Sequence, residues 1–330
     1  MSTASPEKDR KRPRKVVSLA GGVGGAKLAH GFILSLDPDA LTVIVNTADD
    51  FDHLGLRICP DLDTVMYTLG GVANPVTGWG IAGDTMTVLD TIRERGGPGW
   101  FQLGDRDFAT HIVRTAELGA GRTLTEVTTA LSSSFGIQAT ILPMSDDQVA
   151  TEIRTPAGTL SFQDYFVRKG QQDVVLAVEF RGAANATAAA PALEAIADAE
   201  VIVMSPSNPI VSIGPILAIA GFGDAIRSSH APRIAVSPLI GGKALKGPAD
   251  RMMATLGHEP SALGIARLYA GLIDGLVIDH VDRSLSSTIS ELGIAVLVTD
   301  AVMRNEADRA RLAREVIDFA HSVERQPIAL

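Results

Sequence analysis

Seven short apolar, β-branched-rich runs recur along the chain, at 16–20, 41–46, 137–142, 201–204, 234–236, 276–278 and 295–298. Runs with so little polar alternation suit strands covered on both faces. Between most of them, apolar residues return with helical period and the ends carry start and stop signals. A helix is predicted over 26–36 after a string of glycines, another over 62–69 stopped by Gly70-Gly71, and a third capped by Asp84 and stopped by Gly96-Gly97-Pro98. Thr123 and Glu126 stand at capping-box spacing. Strand and helix alternating over such connections predict a doubly wound, Rossmann-like α/β fold, a mostly parallel sheet with helices on both faces. One stretch breaks the rhythm. Residues 148–155 and 159–167 alternate like strands around Pro156-Ala157-Gly158, and 174–180 is strand-like too. The segment at about 147–180 therefore reads as a small antiparallel, β-rich insertion in a single domain over 16–330, with the Ala-rich 182–190 as a connector.

Composition supports a large core, at 46% hydrophobic and 20% charged over 330 residues. The net charge of −9 excludes a general affinity for nucleic acid, so any phosphate must be met by local groups. The first 15 residues differ in character: Lys8, Arg10, Lys11, Arg12, Arg14 and Lys15 crowd beside Pro6 and Pro13, the composition of a disordered basic tail. No apolar stretch follows these charges as a secretory signal requires, and the most apolar later run, 213–222, is too short and too broken by Gly214, Pro215 and Gly221 to cross a bilayer. A cytoplasmic protein without a membrane partner is expected. The single cysteine, Cys59, forms no internal disulfide and reads as a small buried hydrophobe.

The candidate chemistry sits after strand ends. The first run leads into Gly21-Gly22-Val23-Gly24-Gly25-Ala26-Lys27 and a helix, where glycines let backbone N–H groups approach an anion and the helix start adds partial positive charge. A dinucleotide fingerprint built on Gly22 and Gly24 wants glycine where Lys27 stands. A P-loop wants glycine before that lysine and a hydroxyl after it, where Ala26 and Leu28 stand. A metal here would therefore need carboxylates from elsewhere. These follow the second strand, in Asn46-Thr47-Ala48-Asp49-Asp50-Phe51-Asp52-His53, and recur in Pro60-Asp61-Leu62-Asp63-Thr64. Beyond the carboxyl ends of parallel strands, such a cluster beside a glycine loop reads as a Mg²⁺-phosphate site, although Asp61 alone would serve as a helix cap and Asp49 as a turn closer.

Later strand ends carry Ser205-Pro206-Ser207-Asn208-Pro209 with Ser212-Ile213-Gly214, a stiffened loop whose donors suit a phosphate or a purine edge. Lys243 and Lys246 follow the next strand and are the cations expected to offset a diphosphate. Gly83-Asp84-Thr85 and Leu103-Gly104-Asp105-Arg106-Asp107 are further polar segments, substrate-binding or, as structure alone, N-caps at Asp84 and Asp105. Trp79, Trp100 and Phe101 could floor an aromatic ligand. His30, His111, His230, His258, His280 and His321 sit singly, in solvent or core roles.

In this order, the segments from about Val16 to about Phe319 resemble the family of 2-phospho-L-lactate transferases that build the deazaflavin coenzyme F-420. The resemblance rests on the glycine loop through Lys27, Asn46-Thr47-Ala48-Asp49-Asp50, Gly55-Leu56-Arg57-Ile58 running into Pro60-Asp61-Leu62-Asp63-Thr64-Val65-Met66-Tyr67, Leu103 to Asp107, Ser205 to Pro209 and Lys246-Gly247-Pro248. It implies transfer of a phosphorylated three-carbon acid (lactyl, enolpyruvyl or glyceryl) from a guanosine diphosphate-linked donor to the ribityl hydroxyl of the deazaflavin FO, with release of GMP. It further implies Mg²⁺ as cofactor, Asp50 and Asp63 as catalytic carboxylates with Asp49 and Asp61 as supporting candidates, and all four aspartates as metal ligands. A homodimer is the expected assembly. The competing reading is a nucleotide-sugar-binding regulatory protein of the gluconeogenesis-factor type, which shares the glycine loop but carries Gly-Gly-Ser-Ser-Gly where Phe51-Asp52-His53-Leu54-Gly55 stands here. A nicotinamide oxidoreductase is opposed by Lys27.

Overall fold

All seven apolar runs become strands of one parallel sheet in the computed structural model, which describes residues 13–323. They are β1 (Val16–Ala20), β2 (Leu41–Val45), β3 (Thr140–Pro143), β4 (Val201–Met204), β5 (Arg233–Val236), β6 (Gly275–Asp279) and β7 (Ala295–Thr299). Their order across the sheet is β3-β2-β1-β4-β5-β6-β7, so the chain winds outward from β1 on one side, then restarts at β4 on the other. The point between β1 and β4 is the topological switch, where a doubly wound sheet opens a crevice at its carboxyl edge.

Side chains alternate between two separate cores. Val17, Leu19, Ile44, Ile202, Met204, Ala235 and Leu276 face one, while Val16, Ala20, Val43, Val45, Val203, Ile234 and Val277 face the other. Burial on both faces is why the runs showed so little polar alternation. The sheet's one polar interruption near the switch, Ser18, is fully buried and shares a 2.8 Å hydrogen bond with Ser205 just past β4.

Helix α1 (Gly22–Ile33) starts four residues before the expected 26, since the glycines themselves form its first turn. Helix α2 (Pro60–Leu69) begins on Pro60, whose missing N–H costs nothing at a helix start. Helix α3 (Thr87–Glu94) and α4 (Asp105–Gly119) follow, and α5 (Leu124–Ser134) carries the complete Thr123–Glu126 capping box.

Ala150–Thr155, Gly158–Ser161 and Ala177–Arg181 form a three-stranded antiparallel sheet, with Thr155 paired to Gly158 across the Pro156-Ala157 turn. The second strand is shorter than expected. Past Ser161 the chain coils into a π-helical turn, Asp164–Arg168, which Ser161 holds through a 2.8 Å bond to the Asp164 carboxylate. Ile153, Phe162, Tyr165 and Val175 seat this sheet on Val211 and Met252 of the main body.

Residues 1–12 of the basic segment lie outside the described residues. At its end, Lys15 pairs with Asp198 at 2.7 Å. Among the described residues no single helix is long and apolar enough to cross a membrane. The apolar run at 213–222 instead joins the core through Ile213, Ile216, Ile219 and Phe222.

Candidate active site

The carboxyl ends of β1, β2, β4, β5 and β7 open on one cavity of about 860 Å³, a volume suited to a nucleotide-sized ligand. The register aligns these ends, with Ala20 opposite Val45 and Leu19 opposite Met204. Each following segment therefore enters the cavity at the same level.

Gly21, Gly22 and Gly24 line the cavity, but the glycines are needed first for packing. A Cβ at Gly24 would stand 2.1 Å from the carbonyl oxygen of Pro206, and Gly22 has a φ of +61°. Ser207 locks the crossing by accepting from the Gly21 N–H (3.1 Å) and donating to the Gly21 carbonyl (2.8 Å). The helix start already faces a protein anion, because the Asp61 carboxylate lies against Gly21 and Gly22 and the Gly22 N–H favours its charged form. A bare phosphate would meet that carboxylate.

Asp61 shares its end of the cavity with Asp49. Burial pushes the Asp61 carboxyl up to about 6, against opposing hydrogen bonds from Asn46 and Gly22. Asp49 rises well above the ordinary carboxylate range, first through burial and next through the charge of Asp61. Asn46 orients the pair's geometry: its side-chain amide donates to Asp61 (3.0 Å) and Val211 O (3.3 Å), and its carbonyl accepts from the Ala48 N–H (3.0 Å). The Oδ1 of Asp49 is buried with no partner. Two crowded carboxylates and an orphaned oxygen have the chemistry of a hard-cation site.

The other two aspartates do not join them. Asp50 does not line the cavity. Burial pushes its carboxyl up to about 8, while the Cys59 thiol, Arg114 and Arg57 oppose. Asp63 lines the cavity but is bound at both oxygens by the fully buried Arg114, whose Nη1 lies 3.1 Å from Oδ2 and whose Nη2 holds Oδ1. Among the described residues no group of three His, Cys, Asp or Glu side chains forms a metal cluster. A four-aspartate ligand set is thus not assembled, and the pair that fits Mg²⁺ is Asp49 with Asp61, since Mg²⁺ accepts one or two carboxylates beside water and phosphate oxygens.

Cations line the cavity from three chain segments: Lys27, Lys246 and Arg304. The Lys27 ammonium donates to Met303 O (3.1 Å), and burial, then Arg309 and Lys246, lower its pKa. Lys246 donates to Thr77 O at 2.8 Å, bridging two loops over the glycines. Lys243 is turned away, mostly exposed and paired with Asp250 at 3.3 Å.

Several other expected residues are used structurally. Asp84 and Asp105 exchange caps: Asp84 accepts from the Arg106 and Asp107 N–H groups at the start of α4 (3.0 and 3.1 Å), while Asp105 accepts from Thr87 and Val88 at the start of α3 (3.2 and 2.9 Å). Thr85 donates to Asp105 (2.6 Å), and Arg106 binds Ala82 O. None of these four lines the cavity. His53 sits among Phe51, Trp100 and Phe101, with its pKa lowered by burial. Thr47 is buried beside Asn46, Ser205 is spent on Ser18, and Gly214 packs beside the Phe180 ring; none is a lining residue. Ser207, Asn208 and Ser212 do line it, Asn208 capping the turn at Ile210 and Val211. Of the aromatic candidates, Trp79 and Phe101 line the cavity and Trp100 does not.

Sequence reasoning named Asp107 in a polar segment and His111 as a single histidine, but did not join them into the second polar set that the structure forms. Asp107, His111 and Arg114 recur at helical spacing on the inner face of α4, and meet Asp63 and Tyr67, one turn apart on α2. Tyr67 OH donates to Asp107 Oδ1 at 2.6 Å, and His111 Nε2 lies 3.2 Å from the same oxygen. Arg114 only donates, so its 3.1 Å contact makes His111 Nδ1 the acceptor. Missed as well were Phe162, Gln163 and Phe166, brought over the cavity by the antiparallel sheet; the two phenyl rings stack at 5.2 Å. Only the i, i+4, i+7 spacing on α4 was visible in the sequence.

A family model described as 2-phospho-L-lactate transferase CofD matches residues 16–317. The chain is 43% identical over 316 residues to a phosphoenolpyruvate transferase of Streptomyces griseus, covering 94% of this chain and 99% of that one. It is 39% identical over 308 residues to a 2-phospho-L-lactate transferase of Methanosarcina acetivorans, covering 93% and 100%. A solved structure of a UPF0052 family member from Bacillus halodurans superposes with a TM-score of 0.59 at 15% identity, covering 92% of this chain and 99% of that one, a likeness of fold. A crevice at the topological switch, walled by the glycine loop and paired aspartates, is thus found in a chain that belongs to the 2-phospho-L-lactate transferase family and is a transferase.

Proposed function

We propose that the chain transfers a phosphorylated three-carbon acid from a guanosine diphosphate-linked donor to the ribityl hydroxyl of FO, releasing GMP, with Mg²⁺ held by Asp49 and Asp61. The observation that carries the metal is the crowding of these two buried carboxylates beside a glycine loop. A diphosphate approaching α1 would be repelled by Asp61 unless a cation lay between them. When bound, Mg²⁺ supplies charge neutralisation at the diphosphate and a more electrophilic phosphorus.

The chain's own residues do the rest by positioning and charge, as phosphoryl transfer demands. Lys27, Lys246 and Arg304 offset the donor's remaining negative charge. Trp79, Phe101, Phe162 and Phe166 offer ring faces for the deazaflavin or the guanine. The names of the relatives at 43% identity support the enolpyruvyl group as the donor acid.

The test mixes purified protein, Mg²⁺, FO and each guanylylated acid in turn, following GMP release and product mass. Transfer that stops on chelation and returns with Mg²⁺ is expected, fastest with the enolpyruvyl donor. No transfer with any donor, together with tight binding of a UDP-sugar, would overturn the reading.

A further inference from the structure

Four carboxylates line the cavity: Asp49, Asp61, Asp63 and Asp107. Transfer to an alcohol needs an acceptor for the hydroxyl proton, and three of the four are committed. Asp49 and Asp61 form the crowded pair beside the glycine loop, and both oxygens of Asp63 are held by Arg114. Asp107 is different. It is buried, its Oδ1 receives Tyr67 OH and faces His111 Nε2, and its Oδ2 takes no hydrogen bond among the described residues.

We propose that Asp107 is the proton acceptor for the attacking hydroxyl, with Tyr67 as the positioning residue that holds its carboxylate and His111 packed beside it. This rests on the transfer reaction proposed above. As the acceptor oxygen bonds to the phosphorus that carries the three-carbon acid, its proton passes to Asp107. The bridging P–O bond breaks, and GMP leaves with that electron pair. Asp107 then returns the proton to solvent, so charge and atoms balance without a further reactant. Arg114 fixes the geometry from behind: by donating to His111 Nδ1 it leaves Nε2 as the protonated ring nitrogen, 3.2 Å from Asp107 Oδ1 but without a hydrogen bond to it. Tyr67 cannot itself be the base, because burial drives its hydroxyl far above the ordinary phenol range.

The groups facing Asp107 are Tyr67 and, through His111, Asp63 on α2; His111 and Arg114 on α4; and Asp84 at its backbone N–H (3.1 Å). Asp107→Asn is expected to lower kcat about 10²–10³-fold. The KM for donor and FO should stay within about threefold. The acidic limb of the wild-type kcat–pH profile should vanish in Asp107→Asn and return in Asp107→Glu with part of the rate. Retention of that limb in Asp107→Asn, or a kcat within about fivefold of wild type, would overturn the assignment. Should Asp107→Asn fail to fold, Tyr67→Phe decides: removing the donor to the carboxylate should displace the acidic limb of the kcat–pH profile. An unmoved limb defeats the proposal. Absence of wild-type transfer with every donor would instead defeat the parent reaction, so the two failures are distinct.

Discussion

Asp61 and Asp63 stand two residues apart in the first turn of α2, both buried, yet they live in opposite electrostatic worlds. Asp63 points to α4 and is neutralised by a fully buried guanidinium. Asp61 points to the glycine loop, where its charge raises the pKa of another carboxylate, Asp49. A helix separates side chains by roughly 100° per residue, so two positions apart is enough to send them to different sides. Identical residue types in one motif therefore divide: one holds the fold together, and one carries an unbalanced charge that a ligand can use.

The largest effect should come from breaking the balanced side. Arg114→Ala leaves Asp63 charged and unpaired in the interior, a loss of about 3–5 kcal/mol. Urea unfolding would measure it. Adding Asp63→Leu should recover a substantial part, since the penalty lies in the orphaned charge. If the single variant unfolds at the wild-type midpoint, the pair is not the structural bridge described here.

The unbalanced side should respond the other way. Asp49→Asn or Asp61→Asn relieves repulsion, so the metal-free protein should be as stable as wild type or more so. Turnover should fall about 10²–10³-fold, the scale of losing a preorganised electrostatic element, with a higher Mg²⁺ requirement. Calorimetric Mg²⁺ titration and thermal unfolding read the two effects separately. A variant that loses stability but keeps its Mg²⁺ dependence would erase the contrast between the two sides.

A subtler effect is the pH dependence of the metal-free protein. Asp61 has a folded pKa of about 6, above its ordinary 3.8, so the folded state holds more protons between those values than the unfolded state does. Stability should consequently fall as pH rises through that window. Bound Mg²⁺ would favour the charged form of this buried carboxylate, so denaturation midpoints measured from pH 4 to 7 should stop falling with rising pH on adding the cation. A slope of the opposite sign without metal would place a compensating charge beside Asp61.

Every central strand was legible because a sheet buried on both faces writes itself as continuous apolar runs. The glycine loop, Asp49, Asp61, Asp63, Lys27, Lys246, Ser207, Asn208 and Ser212 were legible as cavity residues because strand ends declare the binding edge. What stayed hidden depends on contacts between distant segments. Whether Asp63 or Asp61 is neutralised is decided by Arg114, 51 positions from Asp63. Gln163 and Phe166 enter the site only because the antiparallel sheet docks on Val211 and Met252. Periodicity within one helix cannot report either event.

The exchanged caps test the same lesson at its smallest scale. Asp84 and Asp105 were each expected either to meet substrate or to cap the helix that follows, and each instead caps the other's helix. Hydrogen bonds from Thr85, Val88 and Thr87 lower the Asp105 pKa, so its charged form is the capping form. Asp105→Ala should lower the melting temperature by a few degrees through the lost α3 cap. Because Asp105 touches neither the cavity nor Asp107, kcat and both KM values should stay within about twofold. Asp105→Asn should recover most of the melting temperature, since an amide oxygen also accepts from N–H. A large KM increase for either substrate in Asp105→Ala, at unchanged stability, would return this residue to the binding site. It would also mean that the neighbouring loops move onto the ligand.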